Sequence, residues 1–210
     1  MSADHDGNGL IADLPIFPLG SVLFPEGVLP LRIFEARYMD MVKACLRTES
    51  AFGVCLITRG GEVGEPAEHE TIGCLAQIRE WDMEQLGVLR IRCVGGQRFE
   101  VLERHLQKDG LVRARVRLID PDPAAPVPAE FAVLPQLVRR IVDDLVARET
   151  DTMRQMVAEP LRYEDAGWVA NRLCEFLPIP PGTRHRLMAL PDPLMRLSLV
   201  HQFLAQRQVI

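Results

Sequence analysis

Between Asp120 and Pro128 the chain reads Asp-Pro-Asp-Pro-Ala-Ala-Pro-Val-Pro, and neither a helix nor a central strand can run through it. Each proline lacks a backbone donor and fixes its own φ, and each pushes the residue before it into extended conformation. The chain must therefore change character here. Before the connection, Val112, Ala114, Val116 and Leu118 alternate with Arg113, Arg115 and Arg117, and Leu89, Ile91 and Cys93 alternate with Arg90 and Arg92. A period of two is that of a half-buried strand with one charged face. After it, Phe131, Leu134, Leu137, Val138, Ile141, Val142 and Leu145 recur at three- and four-residue steps, the period of a helix.

The expected organisation follows from that break. Residues 1–12 form a polar lead-in, 13–120 a β-rich part with one helix over Glu35–Arg47, 121–128 the stiff connection, and 129–210 a helical part. Pro15 and Pro18 predict that the strand over 14–19 is short or lies at an edge. Strands are expected over Ala51–Thr58, Thr71–Trp81, Leu86–Cys93, Arg98–Leu106 and Leu111–Ile119, with Gly95-Gly96 as a turn between two of them. Pro135 predicts a kink or a restart in the first helix after the connection, and Asp192-Pro193 an N-cap followed by proline at the first helical position.

The residue inventory excludes several chemistries. A phosphate-binding loop needs Gly-Lys-Ser/Thr, and neither lysine, Lys43 or Lys108, follows a glycine. None of the serines Ser2, Ser21, Ser50 and Ser198 lies in a Gly-x-Ser-x-Gly elbow. His69-Glu70 does not continue into His-Glu-x-x-His, and the five cysteines form no Cys-x-x-Cys pair, so buried thiols and no metal are expected. The chain reads as not an enzyme, with no cofactor. A net charge of −5 gives no general attraction for nucleic acid or anionic lipid, and the chain is read as soluble and cytoplasmic, without a membrane partner.

The run from Leu14 to Pro25, Leu-Pro-Ile-Phe-Pro-Leu-Gly-Ser-Val-Leu-Phe-Pro, continues through Leu29-Pro30-Leu31-Arg32-Ile33-Phe34-Glu35-Ala36-Arg37-Tyr38. It resembles the start of the substrate-binding domain of Lon proteases. Phe52-Gly53-Val54, Ile72-Gly73-Cys74-Leu75-Ala76-Gln77-Ile78 and Gly95-Gly96-Gln97-Arg98-Phe99 extend the resemblance over nearly the whole chain, while Met83–Val88 departs from the Asp-Gly-Arg turn of many relatives. The resemblance implies an α+β fold: a twisted antiparallel β-barrel-like (PUA-like) part followed by an α-helical bundle. It also implies a stand-alone, bacterial-type recognition domain without the ATPase or the peptidase.

Its expected partners are unfolded or exposed polypeptide or a protein partner, with homo-oligomerisation open. The aromatic and charged residues of the specific motif, Phe17, Phe24, Arg32, Phe34, Glu35, Arg37 and Tyr38, are the candidate polypeptide-binding set. Core packing of the aromatics and an ion-pair network are the competing expectation for them. The alternative function is RNA binding by a PUA-like module. Its residues are Arg90, Arg92, Arg113, Arg115 and Arg117 on the strand faces, where cations could meet phosphates.

Overall fold

The computed structural model describes residues 9–149, 151 and 155–210, with the Glu84 side chain left out. The elements are β1 (Leu10–Leu19), β2 (Val28–Ile33), α1 (Ala36–Thr48), β3 (Phe52–Arg59), β4 (Glu68–Gln85), β5 (Val88–Leu106) and β6 (Val112–Leu118). A 3-10 turn (Ala129–Phe131) then precedes α2 (Val133–Arg148), α3 (Ala166–Phe176), α4 (Pro181–Ala189) and α5 (Pro193–Gln206). The fold is α+β, with the sheet N-terminal and most helices C-terminal. Pro135 falls in the first turn of α2, where its missing donor costs no helical bond, so the helix restarts rather than kinks. Asp165 caps α3 by accepting from Trp168 N–H, and Asp192 caps α5 by accepting from the N–H groups of Leu194 and Met195.

The expected antiparallel, barrel-like PUA-type sheet is corrected by the strand pairings. The strands form one six-stranded sheet in the order β2-β5-β4-β3-β1-β6, with an additional β5–β6 pairing. The sheet is mixed, because β1 runs parallel to β3 with Phe17 opposite Val54. Parallel neighbours need a crossover, and β2 with α1 supplies it; the remaining pairs are antiparallel.

The readings of β1 and of Gly95-Gly96 are also revised. β1 is not an edge strand: it pairs with β6 over Leu10–Ile16 and with β3 over Ile16–Leu19. Pro15 has only β6 opposite it and Pro18 only β3, so each proline removes a donor from one ladder alone. Of the lead-in read over 1–12, residues 1–8 lie outside those described, and β1 already begins at Leu10.

Likewise Gly95-Gly96 is not a turn but the middle of β5, joining what the sequence divides into two strands. A Cβ on Gly95 would run into the Phe24 carbonyl, and the Gly95 N–H donates to Gly27 O at 2.8 Å while Gly95 O accepts from Glu26 N–H at 2.8 Å. Glycine is required there for the approach of another backbone, not for a positive φ.

The apolar side chains gather into three clusters. One lies between the sheet and α1, with Phe17, Ile33, Tyr38, Val42, Leu89 and Ile91. A second lies within the sheet around Ile16, Phe99 and Val116. The third fills the helical part around Leu134, Trp168, Leu173, Leu197 and Leu204, and it also takes Phe24 from the N-terminal segment. Sheet and helices are joined by polar ties as well. Arg172 donates to the carbonyls of Pro25 (3.0 Å) and Glu26 (2.6 Å), and His185 Nε2 lies 2.9 Å from Ile72 O.

Candidate functional site: an apolar strip at the end of the sheet

The seven motif residues do not share one surface. Phe17 and Tyr38 are buried and stack with ring centroids 4.0 Å apart, and Phe24 is fully buried in the helical core. Arg37 is buried over the Tyr38 ring at 4.7 Å. Its guanidinium donates to Gly64 O (2.7 Å) and Gly110 O (3.2 Å) and pairs with Glu35 at 2.9 Å. Arg37 thus fastens two loops to the start of α1. Arg32 is exposed and Glu35 half-buried, while Phe34 stands 57% exposed at the end of β2.

Phe34 has company that sequence reasoning passed over. Trp81 and Met83, near the end of β4, are 58% and 51% exposed, and Leu86 in the turn to β5 is fully exposed. Register brings the end of β2, where Phe34 follows Ile33, level with the ends of β4 and β5. Ile33 lies opposite Leu89, and Leu89 opposite Met83; Leu31 lies opposite Ile91, and Ile91 opposite Trp81. Residues in register across neighbouring strands share a face. Leu89, Ile91 and Ile33 are buried in the cluster against α1, while Trp81 and Met83, on the same face by register, stay exposed. Apolar residues exposed in a group, unlike single ones, mark a contact surface. The signal in the sequence is the run Glu80–Leu86, where Trp81, Met83 and Leu86 are set between Glu80, Asp82 and Glu84. A tight hairpin tip needs no such apolar content.

The five arginines of the alternative reading all meet carboxylates. Arg90 pairs with Asp151 (2.9 Å), Arg92 with Glu80 (3.1 Å), Arg113 with Asp13 (3.4 Å), Arg115 with Glu103 (2.6 Å) and Arg117 with Glu100 (2.5 Å). Arg92 is moreover buried and donates to the carbonyls of Gln155 and Val157. The cations on these strand faces are neutralised by their own neighbours.

The thiols are inert. All five cysteines are free and buried. Burial pushes Cys55, Cys93 and Cys174 up to about 12, and raises Cys45 and Cys74 as well. A thiol held that high supplies no thiolate nucleophile at neutral pH. Among the described residues no group of three His, Cys, Asp or Glu side chains is placed to hold a metal, and no helix is long and apolar enough to cross a membrane.

Comparison with known proteins places this architecture. Residues 13–206 match the family model of the ATP-dependent protease La (LON) substrate-binding domain. The crystal structure of a Lon N-terminal domain protein from Xanthomonas campestris is 34% identical, with a TM-score of 0.72 over 93% of this chain and 98% of that one. The N-terminal domain of the Mycobacterium avium complex Lon protease shares the fold at 13% identity, with a TM-score of 0.56 over 92% of this chain and 98% of that one. Among curated sequences, the Lon protease of Anaeromyxobacter dehalogenans is 26% identical over 95% of this chain and 24% of its own length. Protein cereblon of Gallus gallus is 30% identical over 60% of this chain and 28% of its own length. The chain thus spans about a quarter of the length of these two curated relatives, and it corresponds to the non-catalytic, substrate-binding region of Lon. The chain belongs to the ATP-dependent protease La (LON) substrate-binding domain family.

Proposed function

We propose that this chain recognises unfolded or exposed polypeptide, and that it does so on the strip formed by Phe34, Trp81, Met83 and Leu86. The observation that carries the reading is the exposure of these four large apolar side chains at one end of the β2–β5–β4 sheet. Apolar segments of an unfolded chain bury there against Trp81 and Phe34, whose rings offer large contact area with few rotatable bonds. Arg32, exposed two residues before Phe34, meets polar groups beside it. Phe17, Phe24, Arg37 and Tyr38 act from beneath, holding the start of α1 and the loops around it in place.

Family membership supports a recognition role. The pairing of all five strand-face arginines with carboxylates favours polypeptide over RNA. The test is fluorescence anisotropy with a labelled unfolded polypeptide of apolar and neutral polar residues, beside a single-stranded RNA with the same label. The expected result is saturable polypeptide binding that changes little with added salt. RNA binding that weakens steeply with salt, with no polypeptide binding, would mark phosphate contacts with counterion release and overturn the reading.

A further inference from the structure

α5 carries more apolar surface than its neighbours cover. Leu197, Val200 and Leu204 are buried in the helical core, but Leu194, Met195 and Leu199 remain 40%, 53% and 42% exposed. α4 packs beside it with only His185, Leu187 and Met188 buried, and Gly182 and Thr183 leave its first turn slight. Between the two helices stays a concavity of about 370 Å³, whose apolar wall includes Leu187, Leu190, Leu199 and Phe203. Its polar residues are Thr183 and Arg186, and no described residue lining it is acidic. The size and the apolar wall with few polar groups are those of a site for a ligand or a peptide anchor.

The charge at the rim says which kind. Arg186 is exposed and donates to Thr183 Oγ1 at 2.9 Å, and among the described residues no carboxylate pairs with it. Arg207, at the end of α5, sits with its guanidinium 4.6 Å from the centre of the Phe203 ring. The arginines of the sheet faces are neutralised by local acids, whereas Arg186 lines an apolar hollow, and Arg207 stacks on one of its walls, in a protein of net charge −5. A guanidinium that no carboxylate neutralises favours a carboxylate partner.

We infer that the α4–α5 hollow is a second polypeptide subsite, taking segments in which large apolar side chains stand next to carboxylates. The apolar side chain fills the hollow against Leu199 and Phe203, and the adjacent carboxylate accepts from Arg186. This rests on the polypeptide-binding reading and adds a preference that the strip at the sheet end does not have. The strip takes apolar segments whatever their charge; the α4–α5 subsite selects acidic ones.

The test uses the full chain and an end-blocked, labelled peptide copying residues 80–86, Glu-Trp-Asp-Met-Glu-Gln-Leu, which has the required chemistry, beside its Gln/Asn counterpart. The expected result is that the acidic peptide binds about tenfold more tightly than the amide version at low salt. Arg186→Gln should erase that difference, and Leu199→Asp, at a half-exposed position, should leave only the weaker binding, equal for both peptides, that the strip provides. Equal binding of the acidic and amide peptides would overturn the inference. So would displacement of a bound dye by decanoate but not by the peptide, which would make the hollow a site for small amphiphiles. Absence of peptide binding together with self-association of the protein that Leu199→Asp abolishes would assign the hollow to a second copy of the chain. The strip is probed separately with the carboxylate-free unfolded chain, so either site can fail alone.

Discussion

Glu175 is a residue whose protonation is coupled to the fold. It lies on α3 against Arg172, with an ion-pair distance of 2.7 Å, and its side chain is 17% exposed. Burial pushes its carboxyl up to about 7, and the neighbouring Arg172 only partly offsets that. A carboxyl raised above its ordinary value binds its proton more tightly in the folded state than in the unfolded one. Stability is therefore fully present below about pH 4.5 and falls as pH rises towards about 7, by at most about 1.4 kcal/mol per pH unit. Urea denaturation between pH 4 and 8 should show that decline, and Glu175→Gln should flatten it; an unchanged slope in the variant would assign the decline to other groups. Sequence alone points to neither the burial nor the shift. Glu175 reads there as one more acid on a helix, and only the approach of Arg172 to the Pro25 and Glu26 carbonyls brings it inward. Phe17, Phe24 and Tyr38, by contrast, fall where the packing expectation puts such aromatics.

Among the elements, β5 carries the most connections, because its first half pairs with β2 and its second with β6 while β4 runs along both. Gly95 lies where the hand-over occurs, beneath the Phe24 carbonyl. Gly95→Ala is expected to cost about 1–3 kcal/mol in chemical denaturation, since the added methyl must displace backbone rather than a flexible side chain. A cost near zero would show that the Leu23–Gly27 segment moves freely. Much was legible from periodicity and capping: α1 falls within a residue of its expected span, and the N-cap of α5 was readable as Asp192. The misses share a cause. Proline and glycine report local backbone limits, whereas Pro15 and Pro18 are accommodated by a change of partner strand and Gly95 by a contact with a distant segment. Pairing direction is likewise absent from the period-two pattern, which is why the parallel β1–β3 pair was not foreseen.

Across the whole molecule, Asp122 in the proline-dense connection ties sheet to helices. Its carboxylate is 2.6 Å from Arg98 of β5 and 2.6 Å from Arg196 of α5, both nearly inaccessible. Arg98 also donates to the carbonyls of Met188 and Leu190, and Arg196 to Leu187 O and Asn171 Oδ1. Asp122→Ala leaves two buried guanidinium groups without their anion and is expected to destabilise by about 3–5 kcal/mol, measured by urea denaturation. An effect under about 1 kcal/mol would mean that the carbonyls alone satisfy both arginines. The strip at the far end of the sheet takes no part in this network. Its role is tested most directly by Phe34→Ser/Trp81→Ser, assayed for binding of the carboxylate-free unfolded polypeptide and for thermal unfolding. Both positions are more than half exposed, so the melting temperature should stay within a few degrees. The expected result is a loss of affinity of about tenfold or more with the fold intact. Unchanged affinity in a folded variant would contradict the assignment of polypeptide recognition to this strip.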